Sequence, residues 1–159
     1  MAKKLILAPS VSLNFVGGFV ENGIEEVPEE AGLYVVFVCK ESATSYNCEQ
    51  IAYIGKADKT KTSNLRERIR SHISGDFKSW KKLCGMTDEE IFVFCYAVYS
   101  DVLLSDVESA LIYRNQPIVN IQNKDRYNGK SWYLNIVSHG EIGLLRPNIY
   151  VMRLVSGSR

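Results

Sequence analysis

The chain has 159 residues, 46% of them hydrophobic and 23% charged, with a formal net charge of +1. That size and balance suit one globular domain large enough to bury a core, and the near-neutral total speaks against a general nucleic-acid coat. No apolar run approaches the ~20 residues of a membrane span, and the short LILA patch at 5–8 is too brief for a signal-peptide core, so the expected location is cytoplasmic.

The four cysteines, Cys39, Cys48, Cys84 and Cys95, lack CxxC spacing, and only two histidines are present. They read as buried free thiols in a reducing compartment, not as a zinc site or a disulfide framework. The charge is unevenly distributed. Residues 21–30 hold five glutamates and no base, whereas residues 56–82 hold nine lysines and arginines against three acids, an excess of six. A segment so basic can meet a phosphate backbone. It can equally be a solvated helix face.

In chain order, VSLNFVGGFV (11–20) reads as a strand or a hairpin about Gly17 and Gly18, and 25–32 as an acidic loop. LYVVFVC (33–39) is a continuous apolar, β-branched and aromatic run, so a central strand buried on both faces is expected. A polar link at 40–50 leads to a second strand, IAYI (51–54), which breaks at Gly55; the two make an antiparallel hairpin. A helix follows, capped by Ser63 or Asn64, with Leu65, Ile69 and Ile73 as its buried stripe and Arg68 and His72 sharing another face. FKSWKKLCG (77–85) spaces Phe77, Trp80 and Cys84 as a short helix stopped at Gly85, and 90–100 is a third strand. A second main helix spans 101–116, with Leu104, Val107 and Leu111 inward, and stops before Pro117. IVNI (118–121) is extended, and YLNIV and IYVMRLV in the tail look strand-like. The order β-β-α-(α)-β-α plus a C-terminal extension is α+β, with helices flanking a small, mainly antiparallel central sheet.

GLY (32–34) and YIG (53–55), followed by Lys56 and Ala57, LRER (65–68), His72, Glu108 and Asn120, resemble the GIY-YIG nuclease family. The resemblance covers residues 31–121 in the family's usual order, as a catalytic core within a single domain 1–159, with 122–159 as an extension packed on it. It implies a metal-dependent endonuclease, a hydrolase of phosphodiester bonds in DNA, with RNA left open. Glu108 would hold one Mg2+ or Mn2+, and magnesium suits a lone carboxylate because it keeps most of its waters. Arg68 would clamp phosphate oxygens with a guanidinium fork that stays charged, and Lys56 would add a second cation. Tyr34 or Tyr53 would orient or deprotonate the water; Tyr34 assisted by His72 is the favoured assignment, and an ordinary tyrosine pKa near ~10 requires a nearby cation for such work. Gly55 would let the backbone turn where phosphate approaches, and Asn120 would steady the site.

The chain departs from the family at Leu33, the middle of the first triplet, in the longer link 35–52, and in the inserted residues 58–64. Taken singly, Tyr34 and Tyr53 are ordinary core aromatics, and Glu108 completes an SDVE capping-box pattern. Their joint order is what favours the nuclease. In the tail, Lys124, Arg126 and Lys130 alternate with Tyr127, Trp132 and Tyr133, a mixture that holds phosphates and stacks bases or simply packs on the core. DNA is the expected partner, and no membrane contact is expected. A homodimer or a specificity-giving protein partner is compatible with the chain, as are repair, restriction and mobile-element roles. The rival readings are a catalytically inactive nucleic-acid-binding module that retains the fold, and an interaction protein whose basic patch is only solvated.

Overall fold

The alternation of apolar runs and capped helices produces one six-stranded mixed sheet with helices on both faces. The computed structural model describes residues 8–154; the LILA patch, apart from Ala8, and the end of IYVMRLV lie outside them. β1 (Ser10–Phe19) leads through a 3-10 helix (Glu21–Glu26) to β2 (Gly32–Glu41) and β3 (Tyr46–Ala57). α1 (Leu65–Gly75), α2 (Phe77–Leu83), β4 (Glu90–Val98) and α3 (Leu104–Asn115) follow, and β5 (Tyr133–Gly140) and β6 (Asn148–Met152) close the chain. The strand order is β3-β2-β4-β1-β5-β6, and four of its five pairings are antiparallel; β1 and β5 run parallel. The class is therefore α+β, as the sequence indicates. Strands from both ends of the chain continue the sheet, so β5 and β6 are hydrogen-bonded into it, not merely laid against a core.

β2 is central for the reason its sequence gives. Leu33, Val35, Phe37 and Cys39 face a core shared with Val107, Leu111 and the inner sides of β5 and β6. Tyr34, Val36 and Val38 face a second core with Leu65, Ile69, Phe77 and Trp80. A strand between two helical layers must be apolar at every position. α1 starts where capping chemistry places it: the Asn64 side chain accepts a hydrogen bond from the Glu67 N–H at 3.0 Å.

Two open readings are decided and two local expectations change. β1 is a single strand, not a hairpin; Gly18 at φ +82° absorbs a register shift between Gly17 and Phe19 as a bulge. β3 does not break at Gly55 but continues to Ala57, because Gly55 pairs with Tyr34 and Ala57 with Gly32. α3 begins at Leu104 instead of 101, since the Asp101 carboxylate accepts the Leu103 N–H at 3.0 Å and holds the preceding turn outside the helix. With Leu104 already helical, Ser105 is an interior residue and the SDVE capping box is not used. The cysteines are free, three buried and Cys48 half-buried. Among the described residues no helix is long and apolar enough to cross a membrane.

Candidate active site

The basic segment is less available than its charge count suggests. Arg66 pairs with Glu29 at 2.8 Å, Arg70 with Glu25 at 2.6 Å and Lys59 with Glu30 at 2.9 Å. Arg70 also bonds Glu67, and Arg66 Nε donates to the Val27 carbonyl at 2.8 Å. The acidic loop is thus the counterion of one face of α1, and three of the nine cations are occupied there. Arg68 lies on another face and, among the described residues, pairs with no carboxylate.

What Arg68 faces is the cluster that the motifs mark. Tyr34 comes from β2, Tyr53 and Lys56 from β3, His72 from α1 and Glu108 from α3. The Arg68 charge pulls down the pKa values of Tyr34, Tyr53, Glu108 and His72, so one guanidinium lies within electrostatic reach of four titratable groups. Burial opposes it at both tyrosines and at Glu108, and the net shift of each is upward. At Glu108 the Lys56 ammonium and backbone N–H add to the Arg68 effect, while the Asp58 carboxylate works against them.

Tyr34, His72 and Asp76 form a chain. The Tyr34 hydroxyl lies 2.7 Å from His72 Nε2, and His72 Nδ1 lies 2.7 Å from Asp76 Oδ2. A carboxylate only accepts, so Nδ1 carries the hydrogen, and in the neutral ring Nε2 accepts from the Tyr34 hydroxyl. Burial drives the His72 pKa below its ordinary value, helped by Arg68 and opposed by Asp76, which keeps the ring neutral near pH 7. Trp80 from α2 stacks on Tyr53 at 4.6 Å between centroids and packs on His72 at 4.7 Å, closing the cluster from below.

The depressed His72 pKa has a measurable consequence. Below about pH 6.5 the unfolded chain takes up a proton that folded His72 refuses, so stability falls as pH drops through that value and levels off beneath the folded pKa. Urea unfolding between about pH 5 and 8 is expected to show this slope, and His72→Gln to flatten it. An unchanged slope in the variant would mean that other groups carry it.

Tyr53 and Glu108 line one cleft of about 240 Å3 with Ile112, Val119, Asn120 and the turn at 121–123. Tyr34 has no exposed surface. The tyrosine on the cleft wall is therefore Tyr53, with Tyr34 behind it; their rings are 6.0 Å apart, and burial raises the Tyr53 pKa, with the Glu108 charge adding to the rise and Arg68 opposing it. Asn120 grips the outer edge of β3: it accepts the Ile54 N–H and donates to the Ile54 carbonyl, each at 2.9 Å. Gly55 is explained by packing, since a Cβ there would come within 2.4 Å of the Tyr34 hydroxyl oxygen. Arg126 lines a different cavity, and Lys124 contributes its carbonyl to Gln116 at 2.8 Å. Tyr127 is buried, whereas Trp132 is exposed beneath the Arg153 guanidinium, 5.5 Å from the ring centroid.

The sequence motifs do not mark Asp58, Asp76 or Trp80. The spacing His72-x-x-x-Asp76 carried a signal, because residues four apart share a helix face. Among the described residues no group of three or more His, Cys, Asp or Glu is gathered for a metal. Glu108 lines the cleft with the Asp58 carboxylate in electrostatic reach, a sparse acidic donor set that fits magnesium, which retains several waters, and not a metal that needs four protein ligands. No protein-family model, curated protein or solved structure matches the chain. The resemblance rests on the motif residues alone.

Proposed function

We propose that the chain is a metal-dependent endonuclease of GIY-YIG type that hydrolyses phosphodiester bonds in DNA. The observation that carries this reading is the convergence of Tyr34, Tyr53, Lys56, Arg68, His72 and Glu108, from two strands and two helices, on one electrostatically coupled cluster. Separate structural roles give no reason for a guanidinium without a carboxylate partner to lie beside two tyrosines and a half-buried glutamate. The order β2-β3-α1-α2-β4-α3 also agrees with the β-β-α-β-α core that the resemblance implies.

Glu108 is the residue that holds a divalent cation in the cleft. When bound, such an ion stabilises charge on phosphoryl oxygens and acidifies a water. Arg68 presents its fork to the phosphate, and Lys56 keeps the Glu108 side chain in place while adding positive charge. Tyr53 meets the attacking water. Its own ionisation is disfavoured by burial, so a free phenolate is not the base. Instead Tyr53 orients the water beside the Tyr34–His72 pair, in which Tyr34 gives its own proton to His72 Nε2 as it takes up the water's. Asp76 then stabilises the imidazolium, and Asn120 fixes the backbone between Tyr53 and Gly55.

The test is cleavage of supercoiled plasmid with magnesium or manganese. Wild type is expected to nick or linearise it, and Arg68→Ala to slow cleavage roughly 100-fold or more, the scale of removing one transition-state donor. No cleavage of plasmid, branched DNA or RNA by wild type would leave the non-catalytic binding module as the better reading.

A further inference from the structure

α3 separates two cavities. On one side, Glu108 and Ile112 border the catalytic cleft; on the other, Tyr113 and Arg114 border a larger groove of about 380 Å3. Arg126, Tyr127 and residues 150–152 and 154, from β6 and just beyond it, complete that groove. We infer that this groove is a second nucleic-acid contact, which receives a single strand leaving the cleft and holds its phosphates on Arg114 and Arg126 and a base on Tyr150. The choice of nucleic acid over another anion rests on the nuclease reading above.

The argument begins with a contrast between two sets of arginines. On the α1 side the protein pairs its surface guanidiniums: Arg66 with Glu29, Arg70 with Glu25 and Glu67. Around the groove it does not. Among the described residues neither Arg114 nor Arg126 has a carboxylate partner, and no acid lines the cavity. The Arg126 Nε donates to Asn128 at 3.0 Å, which orients the side chain and leaves the terminal nitrogens of its fork for a ligand. In a chain whose net charge is only +1, two unpaired guanidiniums bordering one concavity are a local anion site.

The aromatic content narrows the class. Tyr150 is 51% exposed although it belongs to a strand, and Tyr133 stacks beside it at 6.4 Å between centroids. Exposed tyrosine beside arginine is the combination that binds single strands, with cations on the phosphates and an aromatic face under a base. Met152 and Leu154, both substantially exposed, extend the apolar wall.

Geometry joins the groove to the cleft. Gln122 and Asn123 line the cleft, and Arg126, three residues later, lines the groove. A helix with its side chains is about 10 Å across, so about three base steps at 3.4 Å each would carry a strand past α3 from one to the other.

The probe is a fluorescein-labelled single-stranded DNA about 15 nucleotides long, enough to span one such contact. Its binding to the full chain is followed by anisotropy across a salt series, with plasmid cleavage run in parallel. Arg114→Gln with Arg126→Gln is expected to weaken binding at least ten-fold and to flatten the log K against log salt slope by about 1.4, two single-strand phosphate contacts at ~0.7 each. Arg114→Lys with Arg126→Lys is expected to keep that slope. Tyr150→Ala is expected to weaken binding roughly ten-fold with the slope unchanged, because stacking releases no counterions. All three positions are exposed, and matched melting temperatures establish that the variants fold.

Unchanged affinity and slope in the double glutamine variant, with plasmid still cleaved by wild type, would overturn the groove and leave the nuclease standing. Slope loss in that variant with no cleavage of plasmid, branched DNA or RNA by wild type would uphold the groove as a nucleic-acid contact and overturn the nuclease. Poly-glutamate that binds wild type and is lost by the double variant, while oligonucleotide binding stays unmoved, would assign the groove to acidic protein and overturn the inference.

Discussion

Glu108→Gln is expected to lower plasmid cleavage roughly 100- to 1,000-fold, the scale on which loss of one electrostatic stabiliser is felt in an active site. It should do so with little loss of DNA binding and a melting temperature no lower than that of wild type. Glutamine keeps the shape of the side chain and an oxygen that can accept the Lys56 N–H, so packing against Ile112 and the cleft wall survives. What disappears is a half-buried negative charge that burial already disfavours. A half-buried charge that costs stability points to a functional group. Titration of Mn2+ by calorimetry provides the second readout: wild type binds and Glu108→Gln does not. Equal cleavage by the two proteins would remove Glu108 from the chemistry altogether. A large drop in melting temperature would instead mean that the carboxylate holds α3 against β3, and the lost cleavage would then be structural.

The architecture was legible where each residue's environment is set by its neighbours in sequence. The unbroken run at 33–39 disclosed a strand buried on two faces because Leu33, Val35 and Phe37 meet α3 while Tyr34, Val36 and Val38 meet α1 and α2. Leu65 and Ile69 disclosed the inner face of α1 in the same way. Pairings between the chain ends were not legible. β1 lies between β4 and β5, and nothing in VSLNFVGGFV states that its neighbours are residues 90–98 on one side and 133–140 on the other. Side-chain pairing of charges was equally hidden. Five glutamates and nine cations looked like two separate patches until the fold laid Glu25, Glu29 and Glu30 along α1.

The site divides along the same line. Motif order brought Tyr34, Tyr53, Arg68, His72 and Glu108 together on the page before the fold did so in space. It favoured Tyr34 for the water, whereas the fold buries Tyr34 completely on the central strand and sets Tyr53 on the cleft wall, a difference that two tyrosines near strand ends do not disclose. Asp76 was missed because an aspartate after Ser-Gly reads as the start of the next helix, and its hydrogen bond runs backward to His72.

Gly55→Ala is the second large effect expected, and it tests the fold and the relay without presupposing any substrate. The new methyl carbon would lie 2.4 Å from the Tyr34 hydroxyl oxygen, 2.5 Å from its Cζ and 2.8 Å from Tyr53 Cε1. Neither ring can yield freely. Tyr34 is fully buried with its hydroxyl bonded to His72, and Tyr53 is stacked on Trp80. Overpacking of a tight core costs about 1–3 kcal/mol, and a displaced Tyr34 also leaves a buried hydroxyl and His72 Nε2 without each other, about 1–3 kcal/mol more if nothing replaces the bond. Urea unfolding of Gly55→Ala should therefore show a loss of at least about 2 kcal/mol, the lower part of those two ranges combined. With Tyr34→Leu beneath it the hydroxyl oxygen and Cζ are both absent, the two closest contacts are removed, and the alanine should cost measurably less than it does alone. That non-additivity identifies the clash with Tyr34 as the cause. Additive losses would place the strain in the β3 backbone instead. In that case the glycine answers to the strand and not to the two tyrosines.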